Sequence, residues 1–477
     1  MSKFKKYSRY KEFENYIGDI PEEWNSNKFK VILQERNMKN KPIISKERLS
    51  LSIDKGVTLY AEKTTNLDRF KEDFTQYKIA YPKDLVLNSM NVIVGAAGVS
   101  KYLGCVSPAY YVFYSSDETK YLTDYYYYFF KTSKMQKKLY SIGRGIMAID
   151  RGNDRVNTCR LKVSKNDLKN LIFPVPKINE QYQIVKFIKF KEKQINKLIK
   201  KQKKLIELLE EKKKIIITEA VTKGLDKSVP MKDSGIDYIG QIPQNWEIIK
   251  LKFISLCNKY SLDEHTDKNR QINYIDIGSV TNKDGITNVQ KMLFSEAPSR
   301  ARRIIHTNDT IISTVRTYLK AIAYIDEKYD NYICSTGFAV ITPKNNIDPK
   351  FLFYILHSEN FICKVERIST GANYPAITAN KLINLKCIMP SLQEQKNIIK
   401  YIENIELTIN KLIENKNNLI NKLEEYKKSL IALTVTGQID VRDYEIPKTD
   451  DDVDLEEIEN FSEDDTETIS EVEYANN

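Results

Sequence analysis

The stretch Val175–Asp226 returns as Met389–Asp440, 214 positions later without a gap, and 23 of its 52 positions are identical. Each copy opens on Pro and then Glu-Gln (Pro176, Glu180, Gln181; Pro390, Glu394, Gln395) and closes on Val-Thr and then Asp (Val221, Thr222, Asp226; Val435, Thr436, Asp440). Between these marks runs an apolar seam in alternating steps of four and three. The first copy reads Ile184, Ile188, Lys191, Ile195, Leu198, Gln202, Leu205, Leu209, Lys212, Ile216. The second reads Ile398, Ile402, Ile405, Ile409, Leu412, Lys416, Leu419, Leu423, Tyr426, Leu430. This spacing keeps a narrow stripe on one side of a helix, the coiled-coil pattern. No Pro or Gly interrupts either run, so each predicts a helix of about 38 residues, roughly 57 Å long. A single amphipathic helix lying on a globular core would need a broader and shorter stripe.

A second repeat precedes each long helix. Tyr16-Ile17-Gly18-Asp19-Ile20-Pro21, then Trp24, recurs as Tyr238-Ile239-Gly240-Gln241-Ile242-Pro243, then Trp246. These are the two tryptophans of the chain. The pattern predicts a Gly/Pro turn and a packing Trp at the start of a domain. Residues 31–174 and 253–388 then diverge around a shared skeleton. Asp84–Asn88 parallels Asp309–Ser313 as a turn running into a buried strand, and Tyr125–Phe130 parallels Lys350–Ile355 as a short helix with a core-facing aromatic run.

The fold class expected is therefore α/β (α+β), with an internal pseudo-twofold repeat and the two long helices paired as an antiparallel coiled coil. The boundaries fall at 1–174, 175–226, 227–388, 389–440 and 441–477. Gln202 and Lys416 occupy the sixth of ten seam positions in their helices, where a polar side chain fixes register at some cost in stability.

Composition narrows the function. The net charge of +11 conceals an acidic tail: from Thr449 onward there are 13 acidic residues and no Lys or Arg, which leaves residues 1–448 with a balance of +24. A body this basic, with 30 tyrosines, suits a polyanion. No apolar run is long enough to cross a membrane and the chain starts without an apolar signal region, so a soluble, cytoplasmic protein is expected. The six cysteines form no close pairs and read as buried thiols; the three histidines read as surface groups, and no metal site is expected. Gly95–Lys101 has the wrong spacing for a phosphate loop, and neither a dinucleotide fingerprint nor an amino-methyltransferase motif occurs. Recognition without catalysis is the expectation.

The Tyr-Ile-Gly-x-Ile-Pro-x-x-Trp motif and the Pro-x-x-x-Glu-Gln-x-x-Ile helix opening, each present twice and in order, resemble the specificity subunit of type I DNA restriction–modification enzymes over residues 7–440. The resemblance implies two target-recognition domains, 1–174 and 227–388, each reading one half of a bipartite sequence in double-stranded DNA. It implies that the coil helices set the spacing and dock two methyltransferase subunits, with restriction and translocase subunits joining outside. It also implies no active site and no cofactor here, S-adenosylmethionine and ATP/Mg being bound by the partners. Base-reading residues cannot be carried over by motif. They are chosen by chemistry, since Arg holds guanine and Asn or Gln adenine in bidentate pairs, while Lys and hydroxyls meet phosphate. In the first domain they are Lys101, Tyr102, Arg144, Arg151, Asn153, Arg155 and Asn157. In the second they are Arg300, Arg302, Arg303, Arg316, Tyr318, Lys320 and Asn373. The alternative is a coiled-coil adaptor whose variable domains bind protein, which the basic balance disfavours.

The acidic tail has too few apolar residues for a core, so disorder is expected, and it can compete with phosphates for the basic face. Truncation after Tyr444 should tighten binding to random duplex at low salt, read by fluorescence anisotropy; unchanged affinity would leave the tail only a solubilising role.

Overall fold

The computed structural model describes residues 4–63, 73–146, 160–371 and 373–447; the acidic tail lies outside them. The chain divides into two compact units, Met1–Gln202 with Asn417–Asn477, and Lys203–Lys416. Both divisions fall inside the long helices, Ile178–Lys223 and Leu392–Val435, at the polar seam positions Gln202 and Lys416. Each unit therefore owns half of each helix.

The first unit is built on an antiparallel sheet with spatial order Leu33–Glu35, Tyr110–Ser115, Leu85–Asn88, Ala97–Val99. Beside it the hairpin Leu49–Ser52/Gly56–Leu59 and the pair Lys78–Ala80/Gly104–Val106 are joined by a parallel bridge from Arg48 to Cys105. Leu85, Val86 and Leu87 are fully buried, so the central strand is covered on both faces. The helix Thr123–Phe129 carries the aromatic run, and Tyr125, Tyr126, Phe129 and the following Phe130 are all buried around Phe29 and Phe173. Phe173 meets Phe29 at 5.4 Å and Phe129 at 5.3 Å between ring centroids, the edge or tilted contacts that aromatic pairs favour.

The second unit repeats this plan. Its first sheet runs Ser255–Cys257, Phe338–Pro343, Thr310–Ser313, Ile322–Tyr324. Its second runs Gln290–Leu293, Gln271–Ile275, Ile333–Ser335, Ala301–Ile304, with the middle pair parallel. The helix Pro349–His357 is started by Asp348, whose carboxylate accepts from the N–H groups of Lys350 and Phe351, with Pro at the first position. The turn before each central strand is the same in both units: the N–H of Tyr81 donates to Asp84 Oδ2, and that of His306 to Asp309 Oδ2, each at 2.8 Å.

The duplicated motifs meet at one place in each unit. Trp24 Nε1 donates to Glu180 Oε1 at 3.0 Å, and Trp246 Nε1 to Glu394 Oε1 at 2.9 Å. The adjacent glutamines clamp backbone. Gln181 accepts from the Leu122 N–H and donates to the Lys120 and Pro176 carbonyls, while Gln395 accepts from Asp348 N–H and donates to the Pro390 carbonyl. Tyr16 and Tyr238 each bond both backbone groups of one residue, Ile172 and Lys386 respectively. Burial holds the Glu180 carboxyl above the ordinary carboxylate range, against the opposing pull of the Tyr7 and Trp24 donors. The end of the other long helix closes the same site, with Gly437 against Trp24 and Gly224 against Trp246.

The helices run antiparallel in each unit. In the first, Gln183 donates to the Tyr444 carbonyl and Lys427 Nζ to Asn196 Oδ1 at 2.9 Å; in the second, Lys213 Nζ donates to Asn410 Oδ1 at 3.0 Å. The last two bonds are repeat images of one another. Of the seam, Ile195, Leu198, Ile409, Leu412 and Lys416 are buried, while Gln202 and Leu419 are half-buried. Leu205 departs from expectation at 39% exposed, and further along the inward position is Ile217 rather than Ile216. A straight helix drifts about 20° per heptad against a 3.5-residue repeat, which over several heptads moves the buried stripe by one residue. His357 also departs from a surface reading. Its Nε2 lies 3.1 Å from the Asn282 carbonyl and its ring stacks on Phe353, so burial pulls its pKa down.

Gly437 has φ +72°, and an added Cβ would meet Pro21 at 2.5 Å and Trp24 at 2.8 Å. Gly240 has the same φ with nothing within 4 Å. Gly437→Ala should therefore lose the roughly 1–2 kcal/mol of left-handed strain that Gly240→Ala loses, plus about 1–3 kcal/mol for the clash. Thermal melting of the two variants checks this; equal losses would mean that the helix end is not held against Trp24.

Candidate nucleic-acid interface

In the second unit three loops are drawn together beside the first sheet. Thr314 donates through both its N–H and its hydroxyl to the Gly337 carbonyl at 2.8 Å, tying the 314–320 loop to the Ser335–Gly337 turn. On its other side the Ile377 N–H donates to the Thr314 carbonyl at 2.8 Å, and the Thr317 hydroxyl donates to that of Ser369 at 3.0 Å. The Thr336 N–H donates to the Arg300 carbonyl at 2.8 Å, which brings the edge of the strand Ala301–Ile304 to the same place. The sequence folds this way because Thr and Ser at 313, 314, 317 and 369 satisfy loop backbone and hydroxyl groups that strands would otherwise pair.

The loop's 3-10 turn, Thr317–Leu319, is flanked by two non-glycine residues in the left-handed region, Arg316 at φ +51° and Lys320 at φ +50°. Such residues persist only where the surroundings over-determine them, as the clamps on both sides do here. The Arg316 guanidinium sits 4.9 Å from the ring centroid of Tyr374. Tyr374 is 64% exposed, Tyr318 51% and Leu319 46%, so the loop presents aromatic and apolar surface next to an arginine. Asn373 is exposed beside Tyr374.

The other cations chosen from sequence are more committed. Arg300 is paired with Asp276 at 3.1 Å, and a hydrogen bond with Tyr274, ahead of that charge, raises its pKa. Lys320 is paired with Glu359 at 2.6 Å, a bond that raises the lysine's pKa. Arg302 lies over the Phe294 ring at 4.8 Å, and Arg303 is half-buried in its strand with its Nε sealed. Packing rather than presentation defines those two. Among the described residues Arg316 keeps an aromatic partner and no carboxylate.

In the first unit Lys101 is exposed, but Tyr102 packs against the buried cluster of Leu49, Val57 and Val86, and Ser100 holds its N–H. Arg144 is exposed in the strand Arg144–Ile146, paired with Arg160–Lys162; Arg151, Asn153, Arg155 and Asn157, on the connection between them, lie outside the described residues. The counterpart of the Arg316 loop was not singled out from the sequence. It is the segment 88–96, where the Val94 N–H donates to the Asn91 carbonyl at 3.1 Å, as Leu319 does to Arg316 at 2.8 Å. Gly95 (φ +83°) takes the left-handed seat of Lys320. The signal that could have found it was the strand alignment of Asn88 with Ser313, extended past the strand ends.

Among the described residues no group of His, Cys, Asp or Glu could hold a metal, and no helix is long and apolar enough to cross a membrane. A cleft of about 270 Å³ in the first unit is lined by Glu23, Trp24, Glu180 and Arg442 and belongs to the helix clamp rather than to the loops.

Residues 243–422 match the family model described as the type I restriction modification DNA specificity domain. The type I restriction enzyme MjaVIII specificity subunit of Methanocaldococcus jannaschii is 25% identical over 256 residues, 51% of this chain and 57% of that protein. The chain thus matches somewhat over half the length of that relative. The putative MjaX specificity subunit of the same organism is 26% identical over 427 residues, 84% of this chain and 91% of that one. A chain solved in work on complex assembly and conformational transition of the type I R-M system superposes with a TM-score of 0.62 at 14% identity, covering 88% of this chain and 99% of that one, a likeness of fold. Residues 243–422 thus match the DNA specificity domain of type I restriction–modification systems, and the chain, with its doubled Trp–Glu clamp, is similar over most of its length to specificity subunits of such systems.

Proposed function

We propose that this chain reads DNA for a type I restriction–modification complex, each unit recognising one half of a bipartite target. The observation that carries this reading is one framework built twice around different loops: the sheets, the clamp and the helix pairing repeat, while Arg316 is replaced by Asn91 and Lys320 by Gly95. A protein that reads two unlike half-sites needs this combination. The chain itself does no chemistry; methyltransferase subunits docked on the helices supply S-adenosylmethionine chemistry, and restriction subunits use ATP. The paired helices set the gap between half-sites.

Binding to duplex DNA should fall steeply with salt, because each phosphate contact releases counterions and contributes a slope of about −0.9 in log K against log salt. A flat salt dependence in a gel shift would favour the protein-binding adaptor instead. For the spacing, four residues inserted near Gln202 and matched near Lys416 lengthen the helix pair by about 6 Å. The preferred gap should then grow by roughly one or two base pairs at about 3.4 Å each, with both half-motifs unchanged. A working enzyme with its original gap, seen by methylome sequencing, would remove the helices as the ruler.

A further inference from the structure

The 3-10 turn that follows the central strand occurs in both units, and three of its hydrogen bonds recur at a constant offset of 225 residues (91 to 316, 95 to 320). Asn88 N–H to Ala96 carbonyl, at 3.1 Å, matches Ser313 N–H to Ala321 carbonyl at 2.8 Å. Gly95 N–H to Val92 carbonyl, at 3.0 Å, matches Lys320 N–H to Thr317 carbonyl at 2.9 Å. The turns are therefore the same element filled by different residues, entered through a different backbone, Asn91 at φ −105° and Arg316 at φ +51°. At the residue that leads into the turn, the first unit has Asn91 and the second Arg316, both exposed. These are the two side-chain types that hold adenine and guanine, respectively, in bidentate major-groove pairs.

Resting on the DNA-reading function above, we propose that this turn is the base-reading element of both units: Arg316 takes a guanine in one half-site and Asn91 an adenine in the other. Three features set Arg316 apart from the other arginines. Its guanidinium is laid on the Tyr374 ring, which orients the planar donor fork and reduces the freedom it must lose on binding. Its backbone is locked in the left-handed region by the loop clamps on both sides. And among the described residues it lacks the acidic partner that occupies Arg300. Tyr374 is a positioning residue: it acts on the base through Arg316. The neighbouring Leu319 and Val94, at equivalent places and 46% and 49% exposed, offer apolar contact of the kind a thymine methyl accepts.

The test is selection from a duplex library with two randomised half-sites, using the full chain with whatever partner subunits co-purify, followed by sequencing. The wild type should yield a guanine in one half and an adenine in the other. Arg316→Gln should exchange that guanine for adenine or lose discrimination there by about 5- to 150-fold, leaving the second half-site intact. Asn91→Ala should relax the adenine alone. Tyr374→Phe should retain the guanine preference and Tyr374→Ala should weaken it, with thermal melting showing that each variant is folded. If Arg316→Gln lowers affinity equally for every sequence and keeps the original motif, Arg316 meets phosphate and the assignment is overturned. If the wild type selects no sequence, the DNA-reading function itself fails, and this assignment with it.

Discussion

The hydrogen bond from a buried tryptophan to the first-turn glutamate of a long helix is the joint on which each unit depends. Trp24 and Trp246 are almost completely buried, and an indole N–H in that setting must find an acceptor. Glu180 and Glu394 supply it. The carboxylates also lie at helix N-termini, where unpaired N–H groups favour negative charge. The next residue, Gln181 or Gln395, spends its amide on backbone groups from the recognition fold and from the helix approach. Three parts of the sequence, far apart in number, are fixed by two adjacent side chains. Substituting either would leave buried donors without partners, which accounts for the same pair standing in both copies.

Away from that joint the two copies are free to differ, and they differ where function needs it. The first unit surrounds Phe173 with aromatic rings, whereas the second packs Cys387 in a cluster made mostly of Ile and Leu, with Phe351 and Tyr354 among them. The loops diverge further, since an exposed turn need only close its own hydrogen bonds. The left-handed seat after the turn illustrates this: glycine fills it without strain in the first unit, while lysine fills it in the second with an ion pair to Glu359 nearby.

Much of the framework was legible because period and repetition are written in side-chain type. The four-three seam announced two long helices, and the matching tryptophans announced one joint used twice. The burial of Tyr125, Tyr126, Tyr128, Phe129 and Phe130 followed from a helix too apolar on one face to be left in water. The reading surface was less legible. Choosing arginines by chemistry put Arg302 and Arg303 together with Arg316, but the first two lie in a strand whose pleat packs them against neighbours. Nothing in the residue types at 316 and 320 signals a left-handed backbone, because that conformation is imposed by loops 20 to 60 residues away in sequence. Leu205 is exposed because the buried stripe of its helix drifts away from a strict heptad.

The division of the chain at Gln202 and Lys416 has a consequence for the order in which the protein can assemble on the ribosome. The unit Lys203–Lys416 is one continuous stretch and has all its parts once that stretch has emerged. The other unit is discontinuous: Tyr125 hydroxyl to Val435 carbonyl and Tyr10 hydroxyl to Gly437 carbonyl span 310 and 427 residues. Its sheets can form early, but the helix half that covers its tryptophan is made only after the stretch Lys203–Lys416. The amino-terminal unit thus finishes folding after the unit that follows it, with its aromatic cluster incompletely covered through most of translation, the stage at which exposed apolar surface invites aggregation or chaperone capture.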